Sequence, residues 1–164
     1  MQEVEKFSNE NLEPLVETAK GIKITYSEVG EVKVEIESPK VLMHKGKEAY
    51  DEFPDGLKVT FYDDTLGVTS VLVADFGIRY EKKQEVELRD NVVFTNNKGE
   101  KLETDELFWN EKTRKIHSDK FCTISTSNSK ILAEGFEANQ DFTQYKIKKI
   151  KDSPVMFDDK GGIQ

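Results

Sequence analysis

A single cysteine in 164 residues excludes an intramolecular disulfide, so packing and backbone pairing must hold this chain together. There are two histidines, His44 and His117. Neither has a second His, Cys or carboxylate at metal-ligand spacing, and both read as surface residues. No apolar run reaches the roughly 18 residues of a membrane-spanning helix. The polar opening Met1 to Glu10 does not read as a secretory leader. No glycine-rich phosphate loop and no Gly-x-Ser-x-Gly elbow occur. Basic residues are outnumbered, 24 Lys+Arg against 32 Asp+Glu, and the net charge of −8 argues against a general nucleic-acid binder. Apolar residues are also sparse, at 36% against 34% charged, which predicts a thin core rather than a thick spherical one.

Catalytic groupings are missing too. Cys122 lies in the inward phase of its strand and reads as a small core residue. His117, five residues away, falls on the opposite face and cannot serve it as a base. Asp63-Asp64 and Asp158-Asp159 lack the spaced ligands and glycine of a calcium loop and read as turn residues. No cofactor and no enzymatic activity are expected.

What the chain does contain is one pattern written three times between Leu72 and Ile150. The small residues Ala74, Thr104 and Ala133 are 30 and 29 residues apart, and Val86, Ile116 and Tyr145 each follow 12 residues later. Such a period marks a repeat architecture. Within each unit the apolar residues alternate, so each unit is a hairpin with a polar turn: Glu81 to Glu85, Asn110 to Lys115, Asn139 to Gln144. Asp75, Asp105 and Glu134 take equivalent places as corner residues. Val86, Leu88, Val92, Phe94, Ile116, Cys122 and Ile124 are predicted to face one shared interior. Asp90 and Lys120 share that phase, so the strands must bend or bulge beside them. The phase at 107–109 does not choose between Phe108 and Trp109 as the inward residue.

Upstream, residues 1–20 read as a linker or a short helix from about Asn11 to Lys20 closed by Gly21. Ile22 to Tyr26 and Val32 to Ile36 form a hairpin, with Gly30 in its turn. Pro39 interrupts pairing, and Val41 to Met43 begins another strand. His44 to Asp55 reads as a loop ending in Pro54-Asp55-Gly56 turn chemistry. Leu57 to Tyr62 and Val68 to Asp75 are strands around the turn Asp63 to Gly67. Residues 21–151 are thus one β domain of about twelve to fifteen strands, and 152–164 a tail. Sandwich, jelly roll and barrel all fit. A transmembrane barrel does not, because the second face carries Lys, Glu and Arg. The interior reads equally as a solid core or as a slot for an apolar ligand, and unpaired sheet edges are templates for another chain.

The run Gly21 to Ile36 resembles the opening hairpin of the lipopolysaccharide export protein family LptC. The similarity continues through Ser38-Pro39-Lys40-Val41, Leu72-Val73-Ala74-Asp75 and Leu88-Arg89-Asp90-Asn91-Val92-Val93-Phe94. It extends through Leu102-Glu103-Thr104-Asp105-Glu106-Leu107 to Ala133-Glu134-Gly135-Phe136-Glu137-Ala138, covering roughly residues 20–151. The family's two notable glycines fall on Gly30 and Gly135. Asp90 departs from a usual glycine, which would suit a kink better than Asp.

The resemblance implies an elongated, twisted, open β-jelly-roll like those of the OstA/LptA proteins. It implies a periplasmic domain anchored to the inner membrane by an N-terminal segment absent from this chain. It further implies that the protein receives lipopolysaccharide from an inner-membrane ABC transporter and passes it to a periplasmic, LptA-like bridge protein. Val34, Ile36, Phe61, Val92, Phe94, Ile124 and Phe136 are the expected lining of a lipid groove. Gly30 would lie at the transporter edge, and Gly135, Tyr145 and Ile147 at the bridge edge. The alternatives are the soluble bridge protein itself and an extracellular carbohydrate-binding or structural β-repeat module. The latter would present an exposed aromatic platform, whereas Tyr26, Tyr80, Trp109 and Tyr145 sit at repeat positions.

Overall fold

The computed structural model describes residues 15–147. Among them are thirteen strands, all paired antiparallel, and no helix. β1 (Val16–Glu28) and β2 (Glu31–His44) form a long hairpin. β3 (Tyr50–Phe53), β4 (Leu57–Tyr62), β5 (Val68–Ala74), β6 (Phe76–Tyr80), β7 (Glu85–Asn96) and β8 (Lys101–Asn110) follow. β9 (Lys115–Ser118), β10 (Cys122–Ser125), β11 (Lys130–Ala133), β12 (Phe136–Asn139) and β13 (Tyr145–Ile147) complete the chain.

The pairings sort into two layers of a jelly-roll-like fold. In the first, the later half of β1 and the earlier half of β2 adjoin β4, β5, the end of β7, the start of β8, β10 and β11. In the second, the start of β1 and the end of β2 adjoin β3, β6, the start of β7, the end of β8, β9, β12 and β13. Strands β1, β2, β7 and β8 belong to both, so the layers are two parts of one sheet folded along a line of corners. Side chains from both layers fill the space between, as where Phe61 of the first meets Trp109 of the second edge-on at 5.1 Å.

Turning a corner shifts which residues point inward, because side chains alternate along a strand. Leu102 and Thr104 are buried before the corner in β8, Leu107 and Trp109 after it. Likewise Ile131 and Ala133 give way to Phe136 and Ala138 across Glu134-Gly135. The equivalent acids Asp75, Asp105 and Glu134 therefore do stand at corners. In β7, Asp90 and Asn91 oppose the single Asp105, a bulge with φ of 67° and 51°. That bulge puts Asp90 in solvent while Val86, Leu88, Val92 and Phe94 stay fully buried. Lys120 lies in the break between β9 and β10, again outside the core. All seven residues predicted to share an interior do so, and Trp109, not Phe108, is the inward aromatic of β8.

Three expectations are corrected. Residues 16–20 are neither helix nor linker: they continue β1, pairing with Lys40 to His44. Gly21, at φ +56°, supplies the kink opposite Pro39 that carries the hairpin round the corner. Pro39 accordingly does not end its strand, and β2 runs unbroken from Glu31 to His44. The stretch His44 to Asp55 is not all loop, since Tyr50 to Phe53 form β3 between β2 and β6. Four residues with two aromatics give too little alternation to read as a strand; tertiary pairing decides it.

Candidate functional site

The expected groove residues converge. Val34, Ile36, Phe61, Val92, Phe94 and Ile124 point inward from the first layer and Phe136 from the second, none more than 4% exposed. They lie in one continuous core that includes Leu72, Leu88 and Leu102 and extends toward both lateral edges of the sheet. Side chains fill it: Phe94 stacks on Phe142 at 4.5 Å, and Phe142 meets Phe136 edge-on at 5.7 Å. Val34 and Phe61 also line a cavity of about 520 Å³ at the end of the roll, between the β1–β2 hairpin tip and the β12–β13 turn.

Phe142 was not visible as a site residue. It sits in the polar turn between β12 and β13 with φ 59°, yet is 1% exposed. Asn96 donates its amide to the Phe142 carbonyl at 3.0 Å, and Ser70 donates its hydroxyl to the Gln140 carbonyl at 2.6 Å. The turn is thereby drawn over the first layer and its phenyl ring plugs the end of the interior. A lone Phe in a polar turn was the only signal.

A polar network ties the layers beside this plug. Arg79 of β6 donates from Nε and Nη2 to Glu111 at 2.7 and 3.1 Å, and Tyr26 of β1 donates its hydroxyl to Glu111 at 3.4 Å. Burial and the Glu111 carboxylate push the Tyr26 phenol well up, so it stays a donor. The hydrogen bond to Glu111 likewise raises Arg79 and keeps it a cation. Asp51, 4.0 Å from Arg79, is raised by desolvation. Arg114 and Glu28 form a second tie, at 2.6 Å.

The edges stand where additional strands could pair. Among the described residues β1 pairs with β2 alone, β11 with β10 alone and β13 with β12 alone. Gly30, at φ +81°, follows Val29 in the two-residue β1–β2 turn. Gly135 is buried at the corner between β11 and β12. Tyr145 is buried, Ile147 packs half-buried against the core, and Lys146 between them is exposed. Lys148 to Ile150, the rest of that expected edge, lie outside the described residues.

The remaining reactive side chains have structural surroundings. His44 lies 2.9 Å from Glu52 and stacks on Tyr50 at 4.2 Å; His117 stacks on Phe108 at 5.1 Å. Cys122 is fully buried and donates to the Lys120 carbonyl at 3.2 Å, and burial raises its thiol. Asp63 accepts from Thr65 and Gly67 within its own turn, and Asp64 pairs with Lys33.

A comparison with curated proteins finds no match. A family model described as "Lipopolysaccharide-assembly, LptC-related" matches residues 16–150, a span that contains all thirteen described strands. That family takes part in lipopolysaccharide transport as a periplasmic, inner-membrane-associated component, and is not a known enzyme family. The all-β double layer and a match over most of its length agree: the chain belongs to the LptC-related family.

Proposed function

We propose that this protein is a non-enzymatic conduit that holds the acyl chains of lipopolysaccharide between its two layers. It takes the lipid from an inner-membrane ABC transporter at the β1 edge and delivers it to a periplasmic bridge protein at the β11–β13 edge. The observation that carries this reading is the course of the apolar core, which extends from β1–β2 to β12–β13 and meets a strand edge unpaired among the described residues on each side. An acyl chain gains roughly 0.8 kcal/mol per methylene removed from water, so such an interior binds lipid without directional contacts. Because side chains fill it, loading must part the layers, and the Tyr26–Glu111–Arg79 and Arg114–Glu28 ties are the first contacts to yield. Strand addition at each edge would extend sheet and interior together, so lipid would cross between proteins away from water.

The sole tryptophan, Trp109, lies inside this interior and reports on it. A fatty acid brominated along its chain should quench Trp109 saturably, since bromine quenches on contact, and lipopolysaccharide should reverse the quenching. Absence of quenching under saturating ligand contradicts the conduit. Docking is tested by Gly135→Arg: because Gly135 is buried, the variant's fold is measured first, and a folded variant is expected no longer to co-purify with the bridge protein. A folded variant that still binds would remove the C-terminal edge from the proposal; an unfolded one would assign Gly135 to the fold.

A further inference from the structure

Phe121 is the one exposed aromatic residue among those described, at 51%. It stands in the break between β9 and β10, and its carbonyl accepts from the Thr104 hydroxyl at 3.0 Å, which ties it to β8. Its neighbour Cys122 pairs with Thr104 on one side and Ala133 on the other, so Phe121 sits at the corner between Asp105 and Glu134. With Val92 and Val93 it lines an outer groove of about 230 Å³, walled by Asn91, Glu103 and Asp105. Val73, 40% exposed, pairs with Val93 and prolongs the apolar strip. Asp90 and Asp105 are exposed and form no ion pair among the described residues. The strip therefore fits an occupant that is apolar in the middle and basic at its flank.

The chain itself carries such a segment. β13 runs toward the corner line, and its last residue, Ile147, pairs with Phe136 just past Gly135. The sequence beyond is Lys148-Lys149-Ile150-Lys151-Asp152-Ser153-Pro154-Val155-Met156-Phe157. Charges at 148, 149, 151 and 152 break the alternation that a further strand along β11 would need. The groove lies three to four strand spacings from the β11 edge, roughly 14–19 Å. Val155 to Phe157 lie eight to ten residues past Ile147, a reach of up to about 26–33 Å.

We propose that Val155, Met156 and Phe157 fold back into this groove against Phe121, with Lys148, Lys149 and Lys151 passing over the corner acids. The charges steer the segment, and burial of the triplet holds it. The inference does not depend on lipid being carried. Its consequence is that the C-terminal segment is held on the outer face, off the β11 edge, whose backbone groups stay open to another chain.

The test uses the full chain with a benzophenone amino acid in place of Phe121, whose ketone photoreacts with nearby C–H bonds and readily with methionine. The irradiated monomer is digested and the adduct mapped by mass spectrometry. It is expected on Val155 to Phe157, at a yield independent of protein concentration. Two full-length variants separate seating from mere tethering. Phe157 lies outside the described residues and Asp105 is exposed, so Phe157→Asp and Asp105→Lys remove no core contact. Phe157→Asp should cut the adduct about tenfold and Asp105→Lys about threefold, with the circular dichroism of the unaltered chain. An adduct that scatters along residues 148–164, or that survives either variant, marks a tethered tail that does not seat and overturns the proposal. Adducts only between two copies would assign the groove to a second chain and overturn it equally, as would no adduct at all.

Discussion

Asn91 donates its side-chain amide to the Asp75 carboxylate at 2.7 Å, and the Asp75 N–H donates to the Asp90 carbonyl at 3.0 Å. The corner between β5 and β6 is thus tied to the bulge in the middle of β7. Holding it requires two successive residues at positive φ, a region costly for most L-residues and less so for Asp and Asn. Asp90→Gly should therefore raise stability by about 0.5–1 kcal/mol, read as a higher urea midpoint at unchanged slope. Asn91→Ala should lower it by about 1–2 kcal/mol, losing the bond and placing a Cβ-bearing residue without a polar partner at positive φ.

The β1–β2 turn makes a second case. Val29 and Gly30 both have positive φ, at 52° and 81°, the geometry of a type I′ hairpin turn that favours Asn-Gly. A β-branched residue is poorly suited to that position, and Val29 is 98% exposed, so no packing offsets the strain. Val29→Asn should raise the melting temperature, by the equivalent of about 1 kcal/mol. An unchanged or lower value would mean that the turn differs in solution.

Phe142 should be far more costly to remove than an ordinary turn residue. It contacts Phe94, Phe136 and Tyr145, with ring centroids 4.5 to 5.7 Å away. Phe142→Ala is expected to cost about 3–5 kcal/mol in equilibrium unfolding. A loss below about 1 kcal/mol would show that the turn does not plug the roll.

The Asp63 turn carries a pH signature. Hydrogen bonds from the Gly67 N–H and from Thr65 hold its carboxyl below the ordinary value of 3.8. A depressed folded value means that the contribution is present above the unfolded value and lost as pH falls through the folded one. Asp63→Ala should melt below the unaltered protein at pH 7, and the gap should close as pH drops below 3.8. A gap that persists in acid would assign the loss to something other than the ionised carboxylate.

Much of this was legible because strand alternation and the 30-residue echo are local signals. They yielded the turns, the inward set from Val86 to Ile124 and the corner acids. Asp90 and Lys120, charged residues in an inward phase, announced the bulge and the strand break. What escaped depends on partners distant in sequence. Tyr50 to Phe53 become a strand because β2 and β6 flank them. Val16 to Lys20 pair with residues beyond Pro39. Phe142 is interior because Ser70 and Asn96 draw its turn across the layer. The Tyr26–Glu111 contact spans 85 residues and leaves no trace in periodicity.

The central claim, that lipid travels between the layers, is most directly tested by photocrosslinking lipopolysaccharide from single positions of the chain. Phe94 and Phe136 lie wholly inside, while Lys83 is exposed in the β6–β7 turn. Probes at Phe94 and Phe136 should form adducts and a probe at Lys83 should not. Adducts from Lys83 with none from the two interior positions would contradict the account.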